Sequence, residues 1–177
     1  PVHPSHTMST QRPPTIYPQA AQRWQHLPTS ASPWLHEEVA RRMQERLDWI
    51  KRQPASWAHW EPVRGGLQAH ELLARRYPDA QCFMAAAHVE SAQAAIKKEA
   101  KPWWQPARWT AKAPRCEMPG EGSVQMLWAN MALHMAADPQ ALMGQWHRAL
   151  AVDGFLMFSC LGPDTLMELR GLYQRLG

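Results

Sequence analysis

Cysteine is scarce in this chain. Cys82, Cys116 and Cys160 are far apart, odd in number and without C-x-x-C spacing. That pattern excludes a disulfide scaffold and points to free thiols in a reducing, cytoplasmic setting. Long apolar runs are also missing, so no membrane span is expected. The first residues lack the continuous apolar stretch of a secretory signal. The net charge of +4 suits an acidic partner but falls short of the clustered basic face of a DNA binder. No zinc spacing, P-loop, nucleophile elbow or H-E-x-x-H occurs, and no metal site is expected.

What is present is a globular composition. Hydrophobic residues make up 45% of the 177 residues and charged ones 19%, which suits one domain with a real core. There are 16 prolines, many of them early, and 10 tryptophans whose N–H groups need partners. Residues 1–31 read as a loose arm, with 1–7 resembling a cloning remnant or tail and Tyr17 and Trp24 as anchors. Residues 32–177 read as the folded domain.

The arm gives way to a helix expected from Pro33 to Arg52, with Ser32 as N-cap and Pro54 as stop. Leu35, Val39, Met43, Leu47 and Ile50 form its apolar stripe. Ala55–Trp60 reads as a strand, Glu61–Gly66 as a turn, and Leu67–Tyr77 as a helix. Ala80–Ala86 is a second strand and Ser91–Lys101 a helix. Ser123–Ala129 is a third strand, Pro139–Ala149 a helix, Asp153-Gly154 a turn and Phe155–Cys160 a fourth strand. A last helix runs from Asp164 or Thr165 to about Leu176. Strands alternating with helices predict an α/β fold: a mostly parallel sheet with helices on both faces. Ligands in such sheets sit beyond the carboxyl ends of the strands, here the loops Glu61–Gly66, Ala129–His134 and Ser159–Thr165.

The stretch Ser123–Arg170 carries a resemblance. It reads SVQMLWANMALHMAADPQAL, then WHRALAVDGFLMFSCLGPDTLMELR. This resembles the malonyl carrier-protein O-methyltransferases of biotin synthesis, a class I S-adenosylmethionine-dependent family. Arg75–Ala80 and Trp34–Met43 fit the same family. The resemblance implies a Rossmann-like methyltransferase sheet with S-adenosylmethionine as cofactor and an acidic acyl carrier protein as partner. It implies methyl transfer to the free carboxylate of a malonyl thioester, which needs no general base because the carboxylate is already the nucleophile.

Carried onto this sequence, the family's acid–glycine motif places Glu61 as the acid and Gly65 as the central glycine. Gly66 and Asn130 join them as cofactor-binding candidates. His134, Gly162 and Asp164 become substrate-binding candidates. The simpler alternatives are a strand-end turn for Asn130, a packing histidine for His134 and an ordinary loop with a helix cap for Gly162 and Asp164. Val63 and Leu67 stand where the family has its other glycines, and Ala85-Ala86-Ala87 where it has the ribose-binding acid. These departures keep open a catalytically inactive module that acts by protein association. The family's last two strands have no counterpart before Gly177, so an incomplete sheet is expected, with an open edge that invites homo-oligomer formation. The cluster Trp103–Trp104–Arg108–Trp109 reads as tryptophans under a long loop. Docking of a carrier protein through Lys97, Lys98, Lys101 and Arg108, or stacking of a nucleic acid, are its sharper readings. Nucleic acid is not expected as a partner.

Overall fold

The computed structural model describes residues 15–27, 29, 31–99, 112–162 and 164–176. The tryptophan cluster at 103–109, together with Lys101 and Arg108, lies outside the described residues. Helix α1 (Pro18–His26) is followed by α2 (Trp34–Glu45), which ends in a 3-10 turn at Arg46–Trp49. Then come β1 (Ser56–Trp60), the single turn α3 (Pro62–Gly65), α4 (Leu67–Arg76), β2 (Gln81–Ala85) and α5 (Val89–Glu99). The second half contributes β3 (Val124–Ala129), a 3-10 turn at Leu133–Met135, α6 (Pro139–Ala149), β4 (Leu150–Phe158) and α7 (Met167–Leu176).

The four strands form one all-parallel sheet in the order β2-β1-β3-β4. Central strands of a parallel sheet are covered on both faces, which is why β1 and β3 are almost wholly buried. Alternation along β1 sorts its side chains. Trp57 joins Met43, Leu47, Leu73 and Trp128 in a core beneath α2 and α4. Ala58 joins Leu127, Trp146 and Ala149 in a second core beneath α6. Trp60 lies on that same side, its ring edge-on to Trp146 at 5.9 Å between centroids. The parallel sheet with helices on both faces agrees with the sequence reading.

Several local expectations need correction. Ser32 does not cap α2: Pro33 holds that position, and the Ser32 hydroxyl donates to the Val63 carbonyl (2.7 Å) and accepts from the Leu67 N–H (2.9 Å). The helix closes early, tightening into the 3-10 turn once Leu47 has reached the core. The turn after β1 is helical, since Gly65 N–H and Gly66 N–H bond back to Glu61 and Pro62 carbonyls. Asp153-Gly154 is not a turn before the fourth strand but an irregularity inside it. Val124 pairs with Leu150 and Met126 with Phe155, so extra residues are looped out of β4. Glycine is required there because a Cβ on Gly154 would fall 2.8 Å from the Ala151 carbonyl oxygen. The stretch expected as a loose arm contains α1, and Tyr17, expected as an anchor, is 77% exposed.

Among the described residues no strand pairs with the outer edge of β4. Helix α7, which follows β4 in the chain, exposes Met167, Leu172, Tyr173 and Leu176. The outer edge of β2 is partly covered, because Arg115 exchanges backbone bonds with Cys82 and Met84. No helix among the described residues is long and apolar enough to cross a membrane.

Candidate functional site

Three parallel strands end at one cavity of about 640 Å³. Trp60 and Glu61 reach it from β1, Ala85–Ala87 from β2, and Asn130–Ala132 from β3. The opposite wall is α6, with Asp138, Ala141, Leu142, Gln145 and Arg148. Trp24 and Gln25 of α1, His36 of α2, Arg64, Met118 and the segment 135–137 add to the lining. The volume falls in the usual small-molecule range of roughly 300–1,000 Å³.

Two strand ends at this cavity adopt left-handed backbone: Glu61 at φ 50° and Met131 at φ 54°. Non-glycine residues seldom do so without a reason supplied by their surroundings. At Glu61 the conformation throws the carboxylate across to β2, where it accepts from the Ala87 N–H at 2.8 Å. Burial raises the Glu61 pKa, opposed by that hydrogen bond and by the charges of Arg64 and His88. At Met131 the backbone N–H is shared between the Ser159 carbonyl and hydroxyl oxygens, each at 3.0 Å.

Asn130 is fully used. Its Nδ2 donates to the Gly65 carbonyl (2.7 Å) and the His36 carbonyl (2.8 Å), while Oδ1 accepts from the Ser159 hydroxyl (2.6 Å). One buried amide therefore ties α2, α3 and the end of β4 to β3. The residue lines the cavity, but both of its donors are committed to the scaffold.

The two glycines also serve the scaffold. A Cβ on Gly65 would meet His59 Nε2 at 3.1 Å and the Trp60 carbonyl oxygen at 3.2 Å. Gly66 has φ +118°, and a Cβ there would approach Glu37 Oε2 at 3.0 Å. Neither is among the residues that line the cavity. The side chains of Val63 and Leu67 likewise point away from it, packing with Ala92 and Ala95 of α5. The bulk that replaces two motif glycines therefore fills a small core and leaves the cavity open. In this respect the residues present fit a cofactor of the size of S-adenosylmethionine, with Glu61 as the acid at its edge.

The other expected site residues fall elsewhere. His134 lies half-buried on the 3-10 turn whose Met135 lines the cavity, but it is not itself a lining residue. Burial first, and then the nearby His36, lower its pKa, and its Nδ1 is buried without a partner. Gly162 and Asp164 lie in the exposed loop after β4, where their carbonyls accept from Thr165 and Met167 N–H groups. The structure thus brings together Glu61 and Asn130 and leaves Gly65, Gly66, His134, Gly162 and Asp164 outside the lining.

Sequence reasoning missed His36, Arg148 and the role of Arg64. His36 Nδ1–H donates to the Arg64 carbonyl at 2.7 Å. Arg148 sits in the last turn of α6, where a cation suits the helix dipole and draws no notice in a sequence. Asp138, seen only as a helix start, caps α6 by accepting from the Ala141 N–H at 3.0 Å while also lining the cavity. Among the described residues no cluster of His, Cys, Asp or Glu is placed to hold a metal ion.

An all-parallel sheet in this order, with helices on both faces and an acid-edged cavity beyond its carboxyl ends, is the Rossmann-like methyltransferase fold. Comparison with curated proteins narrows the class. The chain is similar to the malonyl-[acyl-carrier protein] O-methyltransferase of Gallionella capsiferriformans, with 37% identity over 156 residues, covering 81% of this chain and 50% of the relative. The protein of that name from Laribacter hongkongensis is 37% identical over 143 residues, 77% of this chain and 47% of the relative. That from Methylovorus sp. is 33% identical over 144 residues, 79% and 48% respectively. The chain is a relative of the malonyl-[acyl-carrier protein] O-methyltransferases, and it spans about half the length of the curated relatives it matches. No family model matches the sequence.

Proposed function

We propose that this chain provides the cofactor-binding portion of an S-adenosylmethionine-dependent methyltransferase acting on the free carboxylate of a malonyl thioester borne by an acyl carrier protein. The observation that carries this reading is the cavity at the ends of β1, β2 and β3, edged by Glu61 and flanked by two guanidinium groups. The cofactor supplies an electrophilic methyl group when bound. Glu61, anchored by the Ala87 N–H, is the group that would hold its polar portion. The Ala85–Ala87 backbone and the apolar wall of Met131, Ala141 and Leu142 would enclose the rest.

The substrate carboxylate needs orientation rather than deprotonation. Arg148 lines the cavity as an exposed cation and suits an anion arriving from solvent. His36 also lines the cavity, its ring fixed by the Nδ1–H bond to the Arg64 carbonyl. His134, Gly162 and Asp164 retain a place in this reading as groups outside the cavity that meet the carrier-borne end. An acidic carrier protein suits the chain's net charge of +4.

The test is transfer of labelled methyl from S-adenosylmethionine to malonyl-carrier protein, with Arg148→Ala compared against the parent. The reading expects KM for the malonyl substrate to rise about tenfold or more, as loss of one charge-assisted contact does. Equal kinetics would remove Arg148 from the substrate site. Absence of transfer, with the cofactor shown to bind, would overturn the substrate.

A further inference from the structure

Helix α1 has little of its own to hold it in place. It is nine residues long and buries Ala21 alone. A helix so short does not persist in water without outside support. Yet α1 forms a wall of the cavity through Trp24 and Gln25.

The support comes largely from one side chain. Arg64 Nη2 donates to the carbonyls of Trp24 (2.5 Å) and Leu27 (2.7 Å). Leu27 is the C-cap of α1, so the guanidinium sits at the negative end of that helix. The same group lies 4.6 Å from the centre of the Trp24 ring, a cation–π distance. A second, weaker tether joins His88 Nε2 to the Gln25 carbonyl at 2.9 Å. Arg64 itself is well placed to act, because its carbonyl is fixed by His36 and Glu61 opposes its charge. Among the described residues, the hydrogen bonds of its guanidinium lead to α1 and its C-cap.

We propose that Arg64 is a positioning residue that latches α1 onto the cavity, so that Trp24 and Gln25 form a removable wall of the ligand site. Ligand enters and leaves when this wall lifts, and the latch sets how long a bound ligand stays. The ligand part of this inference rests on the cavity reading given above, while the latch itself does not.

The experiment is hydrogen exchange of the whole chain without ligand, comparing the parent with Arg64→Lys and Arg64→Ala. In Arg64→Ala the amides of residues 21–27 exchange at least about tenfold faster, while those of β1 and β3 are unchanged. Arg64→Lys falls between, because an ammonium keeps the charge but loses the planar fork. Unchanged α1 exchange in a folded Arg64→Ala protein overturns the latch. Trp24→Ala, which removes the stacked ring, carries the same expectation should Arg64→Ala fail to fold. S-adenosylhomocysteine, used as the probe, then dissociates faster from Arg64→Ala than from the parent. Equal dissociation overturns the gate. Failure of the parent to bind the probe counts against the cavity reading and leaves the exchange result to decide the latch.

Discussion

Acid should destabilise this domain through a buried pair of imidazoles. His59 on β1 and His70 on α4 face each other with Nδ1 atoms 3.2 Å apart and rings stacked at 5.4 Å. One proton serves that contact. With His59 as Nδ1–H donor, its Nε2 is a bare lone pair, which agrees with the absence of any partner for that buried atom. Both rings are therefore held neutral. Burial pushes His70 down to about 4, and burial together with the neighbouring His70 holds His59 well below its ordinary value. A histidine whose folded pKa lies below its unfolded value of about 6.5 binds its proton preferentially in the unfolded chain. Stability is therefore complete above that value and is lost as pH falls through it, levelling near the folded pKa. Between pH ~7 and pH ~5, His70 alone costs about 2 kcal/mol. His59 acts in the same direction, and the two titrate as a coupled pair. Urea unfolding followed by tryptophan fluorescence reads the loss, since Trp57 lies against both rings at 6.3 and 5.4 Å. His70→Gln keeps a hydrogen-bonding group without a titrating one, so its stability should vary less with pH. A His70→Gln protein with the parent's pH slope would refute the reasoning.

Other outcomes follow from the same packing. Asn130→Ala leaves the Gly65 and His36 carbonyls and the Ser159 hydroxyl without their partner. It should cost about 3 kcal/mol in urea unfolding, the scale for buried groups left unpaired. Gly65→Ala drives a methyl against His59 and the Trp60 carbonyl. About 1–3 kcal/mol of destabilisation is expected, measured the same way. Trp146→Ala empties the core beneath α6, where the indole is fully buried, and should cost about 3–5 kcal/mol. Reversing one motif substitution, Val63→Gly, removes core packing against α5 rather than opening the cavity. It should lower the thermal midpoint without tightening cofactor binding.

Much of this architecture was legible because its signals are local. The alternation of apolar strands with amphipathic helices gave the parallel sheet, and Pro139 after Asp138 gave the start of α6. What escaped depends on contacts distant in sequence. Ser32 reads as a cap for α2, but its hydroxyl is taken by Val63 and Leu67. Asp153-Gly154 reads as a turn, yet β4 resumes its pairing with β3 on both sides of it. Glycine-motif reasoning placed Gly65 and Gly66 at the cofactor, whereas their missing side chains leave room for His59 and Glu37. Glu61 was carried over from the family's acid–glycine motif, and it lies in the cavity lining. Arg64, His36 and Arg148 carry no motif, and they become visible only once β1, α2 and α6 are assembled around one space.

Calorimetric titration of S-adenosylhomocysteine into the purified chain and its Glu61→Gln variant tests the central claim most directly. The account predicts saturable one-to-one binding by the parent, at least about tenfold weaker in the variant, as loss of a charged hydrogen-bonding group at a site requires. Equal affinity in both proteins, or no binding by a parent chain whose fold is intact, would contradict it.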